Sequence, residues 1–87
     1  MSKITFAEKA WNHYLYWQET DKKTLKRVNM LLKDIARNGN EGIGKPEPLK
    51  HRDDWSRRID EVNRLVYQIN SNGTVEILQC KGHYDDK

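Results

Sequence analysis

At 87 residues, 36% hydrophobic and 33% charged with a mean hydropathy of −1.03, the chain is long enough for one domain and one modest core. Three Trp, four Tyr and one Phe exclude a disordered polymer. The single cysteine, Cys80, excludes an intrachain disulfide or a multi-cysteine metal site, while a net charge of +3 selects no partner by itself.

Lys3 to Phe6 alternates and predicts a short strand, edge or central. A helix follows, because Ala7, Ala10, Trp11, Tyr14, Leu15 and Gln18 recur at helical spacing. Thr20-Asp21 supplies capping chemistry for a second helix. Its apolar stripe is Leu25, Val28, Leu31, Leu32 and Ile35, and Asn38-Gly39 suits its end. The short connection implies an antiparallel helix pair. Gly42, Gly44, Pro46 and Pro48 then make residues 40–50 a loop or extended segment.

Strand patterns follow. Trp55, Arg57 and Ile59 point one way, and Ser56, Arg58 and Asp60 the other. Leu65, Tyr67 and Ile69 alternate with Arg64, Val66 and Gln68. Asn72-Gly73 marks a hairpin. In the last strand, Val75 and Ile77 share one side, with Glu76, Leu78 and Cys80 on the other. Cys80 is expected to be a small buried apolar residue. The order of elements predicts an α+β fold over residues 1–87. In it, an antiparallel sheet of four to five strands carries two helices on one face and leaves the other partly open.

No apolar run approaches the ~20 residues of a membrane span, and the first residues lack a secretory apolar stretch, so a soluble cytoplasmic protein is expected. Charge is unevenly spread: residues 1–40 carry net +4 and residues 41–87 net −1. Lys22, Lys23, Lys26, Arg27, Lys33 and Arg37 cover much of the second helix, either as a solvated face or as a phosphate-tracking one.

The chemistry-bearing residues lie in the second half. Cutting RNA through its own 2′-OH requires a base, an acid and positive charge at the phosphate. Glu47, stiffened between Pro46 and Pro48, suits the base. His83 suits the acid, since imidazoles titrate near neutral pH. Arg64 can grip phosphate oxygens in bidentate fashion, with Arg58 and Lys50 as further cations. Tyr84 offers a stacking surface for a base. Each also has a plain structural reading: Pro-Glu-Pro as a rigid surface turn, Arg64 as a salt-bridge partner, His83-Tyr84 as a frayed end. His13, read as a helix-surface residue, and His51, read as a loop residue, receive no role, and metal-ligand spacing is absent, so neither metal nor cofactor is expected.

Five stretches change the balance: Tyr14-Leu-Tyr-Trp-Gln-Glu-Thr-Asp-Lys22, Gly44-Lys-Pro-Glu-Pro-Leu-Lys50, Trp55-Ser-Arg-Arg-Ile59, Asn63-Arg-Leu-Val-Tyr67 and His83-Tyr84. As a set they resemble the YoeB/Txe toxins of the RelE-type superfamily, across nearly the whole chain. The resemblance implies the RelE-like fold and a ribosome-dependent endoribonuclease that cuts mRNA in the A site, held in check by a YefM-like antitoxin. It implies Glu47 as general base, Arg64 as transition-state stabiliser, His83 as general acid and Tyr84 as nucleotide-positioning group. Lys50 and Arg58 match phosphate-binding positions, and a homodimer is expected. Lys22, Lys23, Lys26 and Arg27 are the expected ribosome contacts. The alternatives are a non-enzymatic toxin of the same superfamily and a plain RNA-binding or ribosome-binding module. The chain runs past His-Tyr through Asp85, Asp86 and Lys87, where family members commonly stop.

Overall fold

The computed structural model describes residues 2–50 and 53–83. Its elements are β1 (Ile4–Phe6), α1 (Glu8–Thr20), α2 (Lys22–Asn38), β2 (Glu47–Pro48), β3 (Trp55–Arg58), β4 (Arg64–Ile69) and β5 (Val75–Gln79). They form an α+β fold with one five-stranded sheet in the order β1-β5-β4-β3-β2. From β2 to β5 neighbours pair antiparallel, but β1 pairs parallel with β5, from Ile4 opposite Val75 to Phe6 opposite Ile77. The sheet is therefore mixed, which corrects the wholly antiparallel expectation. Tight turns force antiparallel neighbours, whereas β1 reaches the sheet through two intervening helices and is free to run parallel.

The helix pair turns on one residue. Asp21 caps α2: its carboxylate accepts the Thr24 N–H at 3.1 Å and the Thr24 hydroxyl at 2.8 Å. The Thr24 N–H bond, then the hydroxyl bond, hold this carboxyl below its usual pKa. Tyr14 donates its hydroxyl to Asn29 Oδ1 at 2.8 Å, so α2 runs back along α1. Gly39 ends α2 at φ 66°, where its N–H returns to the Ile35 carbonyl.

Along α2 the predicted stripe is the buried one, with Val28, Leu31, Leu32 and Ile35 in the core and Leu25 packed against it. On α1 the predicted phase is off. Ala10 and Trp17 are buried with Tyr14 beside them, while Trp11 is 46% exposed and Gln18 is exposed. The buried face follows i, i+4, i+7 from Ala10. Trp11 instead stacks on Tyr14 with ring centroids 5.8 Å apart and meets Phe6 edge-on.

Beneath the helices, Leu65, Tyr67, Val75 and Ile77 form the sheet's inner face. The β4–β5 hairpin closes as expected, with the Gly73 N–H donated to the Asn70 carbonyl and Gly73 at φ 86°. One irregularity alters the last strand. Val66 pairs with Gln79 while Tyr67 pairs with Ile77, which leaves Leu78 as an extra residue. The bulge reverses the alternation beyond it. Cys80, expected beside Glu76 and Leu78, turns into the core and donates its thiol to the Ala10 carbonyl at 3.5 Å. Burial pushes that thiol's pKa up to about 12. Gln79 turns outward, into register with Val66.

Candidate active site

Register places the candidate residues. Glu47 lies opposite Ser56, Ser56 opposite Val66, and Arg58 opposite Arg64. Directly paired residues, and residues two apart on one strand, point to the same side of a sheet. Glu47, Arg58 and Arg64 therefore share the face turned away from the helices. Strand spacing and rise put their Cα atoms within roughly 12 Å of one another. The face is less open than expected: Ser56, Val66 and Gln79 are buried, whereas Glu47 and Arg58 are exposed. Arg64 is half-buried, and its Nη1 has no hydrogen-bond partner among the described residues.

His83 reaches the same corner through backbone contacts. The Arg64 N–H donates to the Gly82 carbonyl at 3.0 Å, and the Gly82 N–H donates to Asn63 Oδ1 at 2.7 Å. Asn63 is itself set by Asp60, whose Oδ1 accepts the Asn63 N–H at 2.6 Å and the Val62 N–H at 2.8 Å. Burial opposes the charge on Asp60, but the Asn63 and Val62 hydrogen bonds and the nearby Arg64 hold its carboxyl below the usual range. His83 is exposed. Tyr84 lies outside the described residues, as do His51 and the Asp85-Asp86-Lys87 end.

Upstream of His83 the chain is held by α1. Trp17 Nε1 donates to the Cys80 carbonyl at 2.8 Å, and the Cys80 N–H donates to His13 Nδ1 at 3.2 Å. His13 is thus a half-buried acceptor, which corrects its assignment as a helix-surface residue. Burial first, then the charges of Lys9 and Lys81, push its pKa down and favour the neutral ring that can accept this bond. Lys81 Nζ sits 4.7 Å from the centre of the Tyr16 ring.

The residue whose role the sequence reading missed is Arg57. It is fully buried and ion-paired with Asp34 of α2. Nη1 also donates to the Ile43 carbonyl at 2.9 Å, and Nη2 to the carbonyls of Gly39 at 2.6 Å and Glu41 at 3.3 Å. Nε reaches the Tyr67 hydroxyl at 3.3 Å. Arg57 thereby closes the loop that leads into Glu47, and the adjacent Arg58 N–H adds a 2.7 Å bond to the Gly44 carbonyl. Gly44 needs to be glycine: its φ is +82°, and a Cβ there would stand 2.8 Å from Leu31 Cδ2 and 3.3 Å from the Arg58 carbonyl. The inward register of Arg57, between Trp55 and Ile59, was the available signal, because a charge facing a core must find partners.

Lys22, Lys23 and Lys26 are exposed at the start of α2, and Lys50 is exposed in the turn after β2. Arg27 bends to the sheet, where its Nη2 donates to the Arg58 carbonyl at 3.1 Å. Lys23, Thr24, Arg27, Ile59 and Asp60 line a cleft of about 390 Å³. The basic end of α2 is therefore continuous with the strand end that carries Arg58. Among the described residues, no group of three His, Cys, Asp or Glu side chains could hold a metal ion, and no helix is long and apolar enough to cross a membrane.

Known proteins similar to this chain fall in one family. The family described as YoeB-like toxin of bacterial type II toxin-antitoxin system matches residues 6–84. Toxin YoeB of Escherichia coli K12 is 50% identical over 84 residues, covering 94% of this chain and 99% of the relative. A YoeB–YefM complex from Staphylococcus aureus contains a chain 47% identical, with a TM-score of 0.86 and coverage of 97% and 99%. The YoeB dimer of the same organism is 48% identical, with a TM-score of 0.88 and coverage of 95% and 98%.

Proposed function

The chain belongs to the YoeB-like toxins of bacterial type II toxin–antitoxin systems, and from that premise we propose that it is a ribosome-dependent endoribonuclease that cleaves mRNA in the A site. The observation that carries this reading is the shared register of Glu47, Arg58 and Arg64, with His83 one residue beyond the Gly82–Arg64 bond. That register supplies a carboxylate and two guanidiniums on one sheet face, with the backbone next to His83 bonded to Arg64.

In the proposed reaction Glu47 takes the proton of the 2′-OH as that oxygen attacks the adjacent phosphorus. The bond from phosphorus to the 5′-oxygen breaks, and His83 protonates the departing oxygen. Arg64, aided by Arg58, meets the charge that builds on the phosphoryl oxygens. Its Nη1, buried and without a partner among the described residues, would have to turn outward to donate to such an oxygen. The products are a 2′,3′-cyclic phosphate and a 5′-hydroxyl. Tyr84 would stack on a base to fix the nucleotide, and Lys50 would add charge along the backbone.

Translating ribosomes supplied with the purified protein provide the test. New 5′-hydroxyl mRNA ends should map to the A-site codon and be absent when ribosomes are left out. Binding without new ends would replace this reading with a non-enzymatic toxin or a ribosome-binding module.

The basic start of α2 would dock on ribosomal RNA. Charge reversal at Lys22, Lys23, Lys26 and Arg27 together should weaken ribosome binding at least tenfold, by co-sedimentation, and flatten its salt dependence. Antitoxin binding should change less, and unchanged ribosome binding would remove these residues from the interface. The proposed partners are a YefM-type antitoxin, as in the S. aureus complex, and a second copy of the chain, as in the S. aureus dimer.

A further inference from the structure

Gln79 is not among the residues to which the proposed chemistry assigns a role, yet its surroundings are unusual. It is 9% exposed, and its Nε2 lies 3.1 Å from the Lys81 carbonyl, 3.4 Å from that of Gly82 and 3.1 Å from that of His83. Three consecutive carbonyl oxygens thus converge on one amide group. Backbone carbonyls of successive residues normally diverge; here the turn at Gly82, with φ +86°, brings them round. Gly82 is pinned from the other side by Asn63 and by the Arg64 N–H.

The bulge at Leu78 makes this contact possible. Without the extra residue, Gln79 would point at the helices with Ile77, and Cys80 would point outward. A bulge re-aims the side chains that follow it. Here it sends an amide donor to the outer face, under the segment that carries His83. An imidazole that must meet a departing oxygen gains from having its backbone fixed in advance.

We propose that Gln79 is a positioning residue for His83: its carboxamide gathers the carbonyls of residues 81–83 and holds His83 beside Arg64. This inference rests on the reading of His83 as general acid. Gln79 itself, being buried, acts only through the segment it holds.

Steady-state cleavage on translating ribosomes tests it, using Gln79→Met, His83→Ala and the double variant, with thermal unfolding and antitoxin binding followed alongside. Methionine keeps the unbranched shape and removes the donor. Gln79→Met should lower kcat about 10- to 100-fold with KM unchanged. In the His83→Ala background it should cost nothing further, because both changes remove the same step. Gln79→Glu gives a second readout. At neutral pH its carboxylate would face three carbonyl oxygens and activity should fall below that of Gln79→Met. As pH drops and the side chain regains an O–H donor, its activity relative to the parent should recover.

Unchanged kcat in Gln79→Met overturns the proposal. So does an equal loss in the presence and absence of His83, which would mean that Gln79 serves the fold alone. Full activity of His83→Ala would instead overturn the general-acid reading, so the two failures are distinguishable.

Discussion

Alanine at Glu47, Arg64 or His83 is expected to slow mRNA cleavage on translating ribosomes by about 10²- to 10⁴-fold each, while the protein stays folded. Glu47 and His83 are exposed, so their loss opens no core, and removal of Arg64 leaves no hydrogen-bond partner of its Nη1 behind. Cells expressing any of the three variants should regain growth. Combining two substitutions should cost little more than one, since groups acting in a single step are not additive. Glu47→Gln is the sharper version: it keeps the shape and removes the proton acceptor. Wild-type cleavage by Glu47→Gln would exclude Glu47 as the base, and wild-type toxicity of all three alanine variants would exclude the mechanism.

Arg57→Met should be the most damaging single change to stability. Arg57 is fully buried, and its guanidinium serves Asp34, Tyr67 and the carbonyls of Gly39, Glu41 and Ile43. Removing one member of a buried pair typically costs about 3–5 kcal/mol. That is a large share of the ~5–15 kcal/mol that holds a domain of this kind together. Urea titration should show the midpoint collapse. A midpoint within error of the parent would mean that the loop is held by something else. Acid should expose the same pair. The Arg57 hydrogen bond holds the Asp34 carboxyl below its ordinary pKa, with further help from Asn38 and the Ile43 N–H, against the effect of burial. A depressed carboxyl stabilises the fold fully above its unfolded value of ~3.9, and that contribution is lost as pH falls through the folded value. The Asp34 contribution should thus be complete and independent of pH near neutrality and be lost below about pH 4, with a shallower acid slope in Asp34→Asn.

Parts of this architecture were plain from residue order. The α2 stripe, the β3 and β4 alternation and the Asn72-Gly73 turn each depend on local periodicity, and each is where the spacing put it. On α1 the aromatic residues misled. Trp11 and Trp17 are equally apolar, and only the position of β5 decides that Trp17 is the one that reaches the Cys80 carbonyl. The direction of β1 was equally hidden, because a strand joined through two helices carries no turn to set its sense.

For the candidate site the division is similar. Residue types made Glu47, Arg58, Arg64 and His83 compatible with acid–base cleavage, and the motifs around them, specific as a set, made them the candidates. Which of them share a sheet face is a matter of cross-strand register. Register arises from pairing between residues far apart in sequence. The same holds for Arg57, a strand cation until α2 and the glycine loop close around it, and for Gln79, which the bulge at Leu78 turns outward. The sequence by itself determined the chemistry available to this protein and the family to which it conforms. Only the tertiary structure decided which way each side chain faces, because long-range pairing and burial, rather than local spacing, select among the faces that a strand or helix offers.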